Sequence, residues 1–229
     1  MGDSFTATLY AVAFDGTIHY SDAETSSIQT FLMDKLTDTN SSAELKTLAV
    51  DMLNYGTAAQ IYFSYNVENP VNADLTEELR ALGTQTVPAA LDGSSASGNG
   101  IKLSTSVCLQ SKVMLYLTCM YAANEDSNLK FVVKDSDGNV LKEFAPSLQT
   151  AKACQGGYSD VGARQMRELL TVELYDNDVL VSETLTWSIE SYVASVRANA
   201  ASSAELIAIA NAMLVYGDSA AAYLAASGQ

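Results

Sequence analysis

One histidine, His19, occurs in 229 residues. No Ser-His-Asp or Cys-His arrangement can be drawn without staking it on that position. Lying beside Tyr20 in an extended stretch, His19 reads as a strand residue. Cysteine is also scarce. Cys108, Cys119 and Cys154 make an odd count with no Cys-x-x-Cys spacing, so no thiolate zinc site and no disulfide framework is indicated. They read as small buried strand residues, of which one pair could form. Basic residues number 12 against 27 acidic ones, for a net charge of −15 with no basic cluster. Nucleic acid and anionic membrane surfaces are therefore poor partners, and the acidity reads as a solubility device. No stretch reads as long and apolar enough to span a membrane. The opening MGDSFTATLYAVAF lacks the basic and apolar regions of an export signal, so any signal or anchor is expected outside this chain.

The remaining site chemistry is equally thin. Asp135-Ser136-Asp137-Gly138-Asn139 is similar to the start of a calcium loop, but the twelfth position holds Pro146 instead of the closing Glu, so a hairpin turn is expected. Asp92–Gly100 is rich in Gly and Ser but is followed by no Lys-Ser/Thr pair, which makes it a connector and not a phosphate loop. Acidic pairs for glycoside hydrolysis come from distant positions and none is singled out. No catalytic residue, metal ligand or cofactor is assigned, and the binding residues are not identified.

What the chain does contain is one stretch twice. Ser27–Phe63 aligns without a gap to Ser188–Leu224 at an offset of 161, with 14 of 37 positions identical, among them Tyr55/Tyr216, Gly56/Gly217 and Tyr62/Tyr223. Ser41 to Glu44 and Ser202 to Glu205 have the spacing of a capping box ahead of a run with three- and four-residue apolar steps. Each copy thus reads as a short helix, Ser27–Asp38 or Ser188–Asn199, followed by a long amphipathic one, together a helical hairpin. The shared glycine predicts close approach of another element, and the four tyrosines Tyr55, Tyr62, Tyr216 and Tyr223 read as packing residues. Trp187 reads as core.

Strands precede each pair. Ser4–Phe14 and Thr17–Tyr20 flank Asp15-Gly16, a hairpin turn, with Phe5, Ala7, Leu9, Ala11 and Ala13 on one face. Met166–Tyr175 and Val179–Trp187 repeat that layout. Between them, Leu75–Leu82 reads as a short helix ended by Gly83. Val113, Leu115, Leu117, Cys119 and Tyr121 line one face of a strand, and Leu129–Lys134 and Val140–Phe144 flank the Asp-Gly turn. The fold class is α+β, an antiparallel, sandwich-like sheet with two related helical hairpins from an internal duplication. Its expected divisions are 1–66, hairpin plus helical pair; 67–100, connector; and 101–229, strands plus the second helical pair.

The run Leu53-Asn54-Tyr55-Gly56-Thr57-Ala58-Ala59-Gln60-Ile61-Tyr62-Phe63-Ser64-Tyr65-Asn66, continued by Asn69-Pro70-Val71-Asn72-Ala73-Asp74-Leu75, resembles a repeat module of large secreted or wall-attached proteins of anaerobic Gram-positive gut bacteria. So do Thr184–Tyr192 and Met213–Tyr223. The resemblance implies an extracellular, non-catalytic module with neighbouring repeat units and no membrane insertion. Some such proteins bind host immunoglobulin in the manner of a B-cell superantigen. No binding residue carries over, and the first unit here lacks the strands that precede the hairpin in the second. The expected partner is a host protein such as immunoglobulin; the alternatives are a spacer module and a carbohydrate-binding module that takes a glycan.

Overall fold

Near the N-terminus the Asp15 carboxylate accepts the Thr17 N–H at 2.9 Å. The computed structural model describes residues 3–8, 10–12, 15, 17–89, 91–109 and 113–228. The single strand expected over 4–14 is two: β1 (Ser4–Ala7) and β2 (Tyr10–Val12). β2 pairs with β3 (Ile18–Tyr20), and β1 pairs with β4 (Glu24–Ser27), a strand the alternation did not reveal. His19 lies in β3 opposite Ala11. The side chains of Phe5, Leu9, Ala11, Ala13 and His19, and Gly16 of the turn, lie outside the described residues, and Ala7 is exposed.

Two helices follow. α1 (Ile28–Thr37) starts where the Ser27 hydroxyl accepts the Thr30 N–H and stops at Asp38, as its sequence limits predict. α2 (Ala43–Tyr62) is capped by Ser42, whose hydroxyl takes the Leu45 N–H at 3.2 Å. The Ser41–Glu44 box therefore does not form; Ser41 is one position too early and donates to Asp38 instead. A single turn, α3 (Glu77–Arg80), capped by Thr76, replaces the longer helix read over 75–82. Leu32 and Leu36 of α1, Ala49, Val50 and Leu53 of α2, and Val71 and Leu75 of the returning chain bury one core. Residues 71–75 are thus packing elements and not part of a connector.

From Pro88 the chain enters a second unit, Pro88–Ser203. Its strands are β5 (Ser95–Ser97), β6 (Leu103–Leu109), β7 (Val113–Cys119), β8 (Leu129–Lys134), β9 (Val140–Phe144), β10 (Leu148–Gln149), β11 (Cys154–Tyr158), β12 (Leu170–Asp176), β13 (Val179–Leu180) and β14 (Thr184–Trp187). One antiparallel sheet runs β10-β11-β7-β6, and a larger one runs β5-β14-β12-β8-β9 with β13 on β12. The β8–β9 hairpin has its expected limits. Asp135 closes its turn by accepting from the N–H groups of Asp137 and Asn139 and from Asn139 Nδ2, while Gly138 takes a left-handed φ of +84°. Met166 and its neighbours are not a strand, since a short 3-10 turn, Ala163–Gln165, precedes β12. Ser95–Ser97, read as linker, is an edge strand on β14. The two sheets meet where Gly156 of β11 lies against the rings of Phe131 and Phe144; a Cβ there would stand 2.7 Å from Phe131.

α4 (Ile189–Ala198) stays with these strands. It begins in a capping box in which Ser188 and Ser191 each bond the other's N–H. α5 (Ala204–Ser227) returns to the first unit, which comprises Met1–Val87 and Ala204–Gln229. The unit limit therefore falls inside the stretch 101–229, between α4 and α5. α2 packs along α5. Gly56 and Gly217 are buried, and the half-buried rings of Tyr55 and Tyr216 stack 5.7 Å apart and 7° from parallel.

The expected absence of a membrane-length apolar stretch does not hold. α5 has 24 residues and is long and apolar enough to cross a membrane by length and composition, so such a stretch does exist. Ile209, Ala210, Met213, Leu214, Gly217 and Ala220 are nevertheless buried in the unit, as they are in the core helix of a globular fold.

Candidate functional site

Among the described residues of the first unit, the end of α2 carries the densest run of exposed apolar side chains. Ile61, Tyr62, Phe63, Tyr65 and Val67 are all exposed, Phe63 by 52% and Tyr65 by 57%. Single exposed apolar residues are ordinary, but five within seven positions are not. Tyr62, expected to pack, instead sets its ring edge-on to Phe63, with centroids 4.9 Å apart and planes 79° apart.

The chain that displays these groups is held firmly. Ser64 and Asn66 adopt left-handed φ values of 53° and 50°, a conformation Asn tolerates better than most residues. Gln60, nearly buried at the helix end, fixes the turn from both ends of its amide. Nε2 donates to the carbonyls of Asn66 and Asn69, and Oε1 accepts the Val71 N–H at 2.9 Å. Further along, Thr57 accepts the Asn72 N–H and Asn54 accepts from Asn72 Nδ2. Arg80 binds the Asn72 and Leu75 carbonyls. Tyr65 donates its hydroxyl to Asp3, which raises the pKa of that hydroxyl above its ordinary value. Rigid presentation matters because an anchor already ordered loses little entropy on binding.

Nothing in the sequence marked Gln60 as the organiser. Its partners lie six to eleven residues away, a separation that no helical or strand period picks out.

The other polar clusters are occupied structurally. A shallow groove of about 390 Å³ runs between the α1–α2 turn and Tyr223, Ala226 and Ser227 of α5. Its Asp38 already accepts from Asn40 and Ser41, and its Ser42 caps α2. Asp51, only 1% exposed, takes the Thr84 N–H at 2.9 Å and the Thr84 hydroxyl at 2.7 Å. Glu173, in the second unit, takes Lys134, Thr184 and Tyr175. Among the described residues no group of three or more His, Cys, Asp or Glu side chains gathers.

Asp51 gives a pH prediction. Burial raises its pKa and the nearby Asp218 adds to the rise, against hydrogen bonds from Thr84 and Ser219. With the folded value above the unfolded one, the stability this group contributes is complete below about pH 4 and is lost as pH rises through the folded value. Asp51→Asn is expected to remove that dependence in urea titrations run from acid to neutral pH. Asp51→Ala leaves the Thr84 N–H without its acceptor and is expected to cost about 2 kcal/mol.

The chain matches no family model, no curated protein and no solved structure.

Proposed function

We propose that this chain is a non-catalytic binding module of a bacterial secreted or wall-attached protein. In this reading it is built from two related copies of hairpin, short helix and long helix, with a sandwich-like strand unit that falls between the long helices in chain order. It takes a host protein, such as immunoglobulin, on the exposed end of α2. The observation that carries the proposal is the cluster Tyr62, Phe63 and Tyr65 on a turn immobilised by Gln60. Rigid aromatic anchors of this kind dominate protein interfaces because they bring large contact area at low entropic cost. A glycan platform is less well supported, since the rings of Tyr62 and Phe63 stand 79° apart and do not form a flat stacking row.

The repeat supports the architectural half of the reading. α1 and α4 each start after a Ser cap and stop after ten residues, and the starts of α2 and α5 keep the offset of 161. The stacking of Tyr55 on Tyr216, positions that correspond in the alignment, is what a local two-fold relation between the long helices produces.

The test is a parallel screen of the purified chain against immunoglobulins, whole serum and a glycan array. Binding to immunoglobulin is expected, and Phe63→Ser with Tyr65→Ser is expected to weaken it at least about tenfold. Retention on glycans alone would favour a carbohydrate-binding module. Retention on none of the three would leave the spacer reading.

A further inference from the structure

Cys119 closes β7 and Cys154 opens β11, and the antiparallel register sets the two directly opposite each other. Opposed residues in such a ladder have Cα atoms about 4.5–5.5 Å apart, inside the roughly 4.4–6.8 Å that a disulfide spans. Burial alternates along both strands, so both thiols lie on the core side, with Leu115 and Leu117 on one strand and Gly156 and Tyr158 on the other. Cys108 is differently placed. It sits in β6 opposite Met114, with no thiol across from it.

We propose that Cys119 and Cys154 are a cross-strand disulfide site, oxidised by a low-molecular-weight disulfide while the sheet is closing, with Cys108 left as a free thiol. One cysteine, as its thiolate, attacks a sulfur of the small disulfide, forming a mixed disulfide and releasing one small thiol. The second, having lost its proton to water, attacks the protein sulfur of that intermediate and displaces the other small thiol. Two electrons pass to the oxidant and two protons leave the protein side.

Timing follows from burial. In the closed sheet both thiols are out of contact with solvent, and burial, with Cys154 and Glu183 adding to it, pushes the Cys119 thiol up to about 11. Attack therefore belongs to the stage before β11 docks. The bridge ties β7, from which the chain leaves the smaller sheet, to β11, which it reaches after β8, β9 and the edge strand β10.

The test refolds the full chain from denaturant in mixed reduced and oxidised glutathione, then quenches, unfolds and alkylates it. Trypsin separates the three cysteines, because Lys102, Lys112, Lys130, Lys152 and Arg164 lie between and around them. The expected result is a single label, on Cys108, and one linked pair of peptides carrying Cys119 and Cys154. The same linked pair with no label is expected for Cys108→Ser. Three labelled cysteines on a chain with native circular dichroism, or a link that includes Cys108, overturns the assignment.

Discussion

Replacing Glu173 by alanine is expected to destabilise the strand unit by about 2–3 kcal/mol, the cost of removing the shared charged acceptor of a partly buried ion pair. Glu173 is 6% exposed, and its carboxylate accepts from Lys134 Nζ at 2.6 Å, Thr184 Oγ1 at 2.8 Å and the Tyr175 hydroxyl at 2.9 Å. Truncation strands three donors at once, in the middle of the larger sheet. Glu173→Gln keeps one acceptor oxygen, enough for Thr184 or for Tyr175 but not for both, since the two bond different carboxylate oxygens, and is expected to lose less than alanine. Glu173→Leu with Lys134→Met, which removes both charges, is expected to recover much of the loss.

The pH dependence has the opposite sign to that of Asp51. Burial works to raise the Glu173 pKa, but the bonds from Lys134, Thr184 and Tyr175 outweigh it and the folded value is lowered. A depressed folded pKa gives stability that is present above about pH 4.5 and lost as pH falls through the folded value. Urea midpoints of the parent chain should therefore fall on acidification below that point by an increment that Glu173→Ala lacks. Equal acid losses in both proteins would refute the assignment.

Gly100→Val is expected to cost about 3 kcal/mol, at the upper end of overpacking. A Cβ built on Gly100 stands 2.0 Å from the Ser182 carbonyl carbon and 2.1 Å from its oxygen, and backbone cannot swing aside as a side chain can. The contact is close because the chain here passes from β5, at the edge of one sheet, to β6, at the edge of the other. Ile101 lies alongside Ser182 in a parallel bridge, donating to the Val181 carbonyl and accepting from Glu183 N–H. The Glu183 carboxylate adds a bond to the Leu103 N–H at 3.0 Å. Gly93, with no atom within 4 Å of an added Cβ, supplies the control: Gly93→Ala should shift the urea midpoint by no more than about 0.5 kcal/mol equivalent.

These sites show which parts of the fold local sequence can encode. Ser27 and Asp38, and Ser188 and Asn199, bracket their helices as read, because capping is a contact between residues three or four apart. The β8–β9 hairpin was legible for a similar reason, with Leu129–Lys134 and Val140–Phe144 on either side of an Asp-Ser-Asp-Gly-Asn turn. β5 was not. An edge strand of Ser95, Ala96 and Ser97 is held by backbone pairing, with every side chain exposed, so it leaves no apolar period to find. Asp51 with Thr84, 33 residues apart, and Gln60 with its turn are bonds from side chain to distant backbone. Neither has a spacing rule. The exposed end of α2 was misread because Tyr62 continues the helical period of the apolar face one turn past the core it would cover.

The return of α5 to the first unit sets the order of assembly. Residues 88–203 can complete their sheets as soon as they leave the ribosome, whereas the earlier-made helices α1 and α2 wait for residues 204–228 before the flank of α2 is covered. Birth order and maturation order are therefore reversed: the half of the chain made first finishes last, and a stalled or clipped nascent chain exposes an oily α2 to whatever chaperone or protease is nearby.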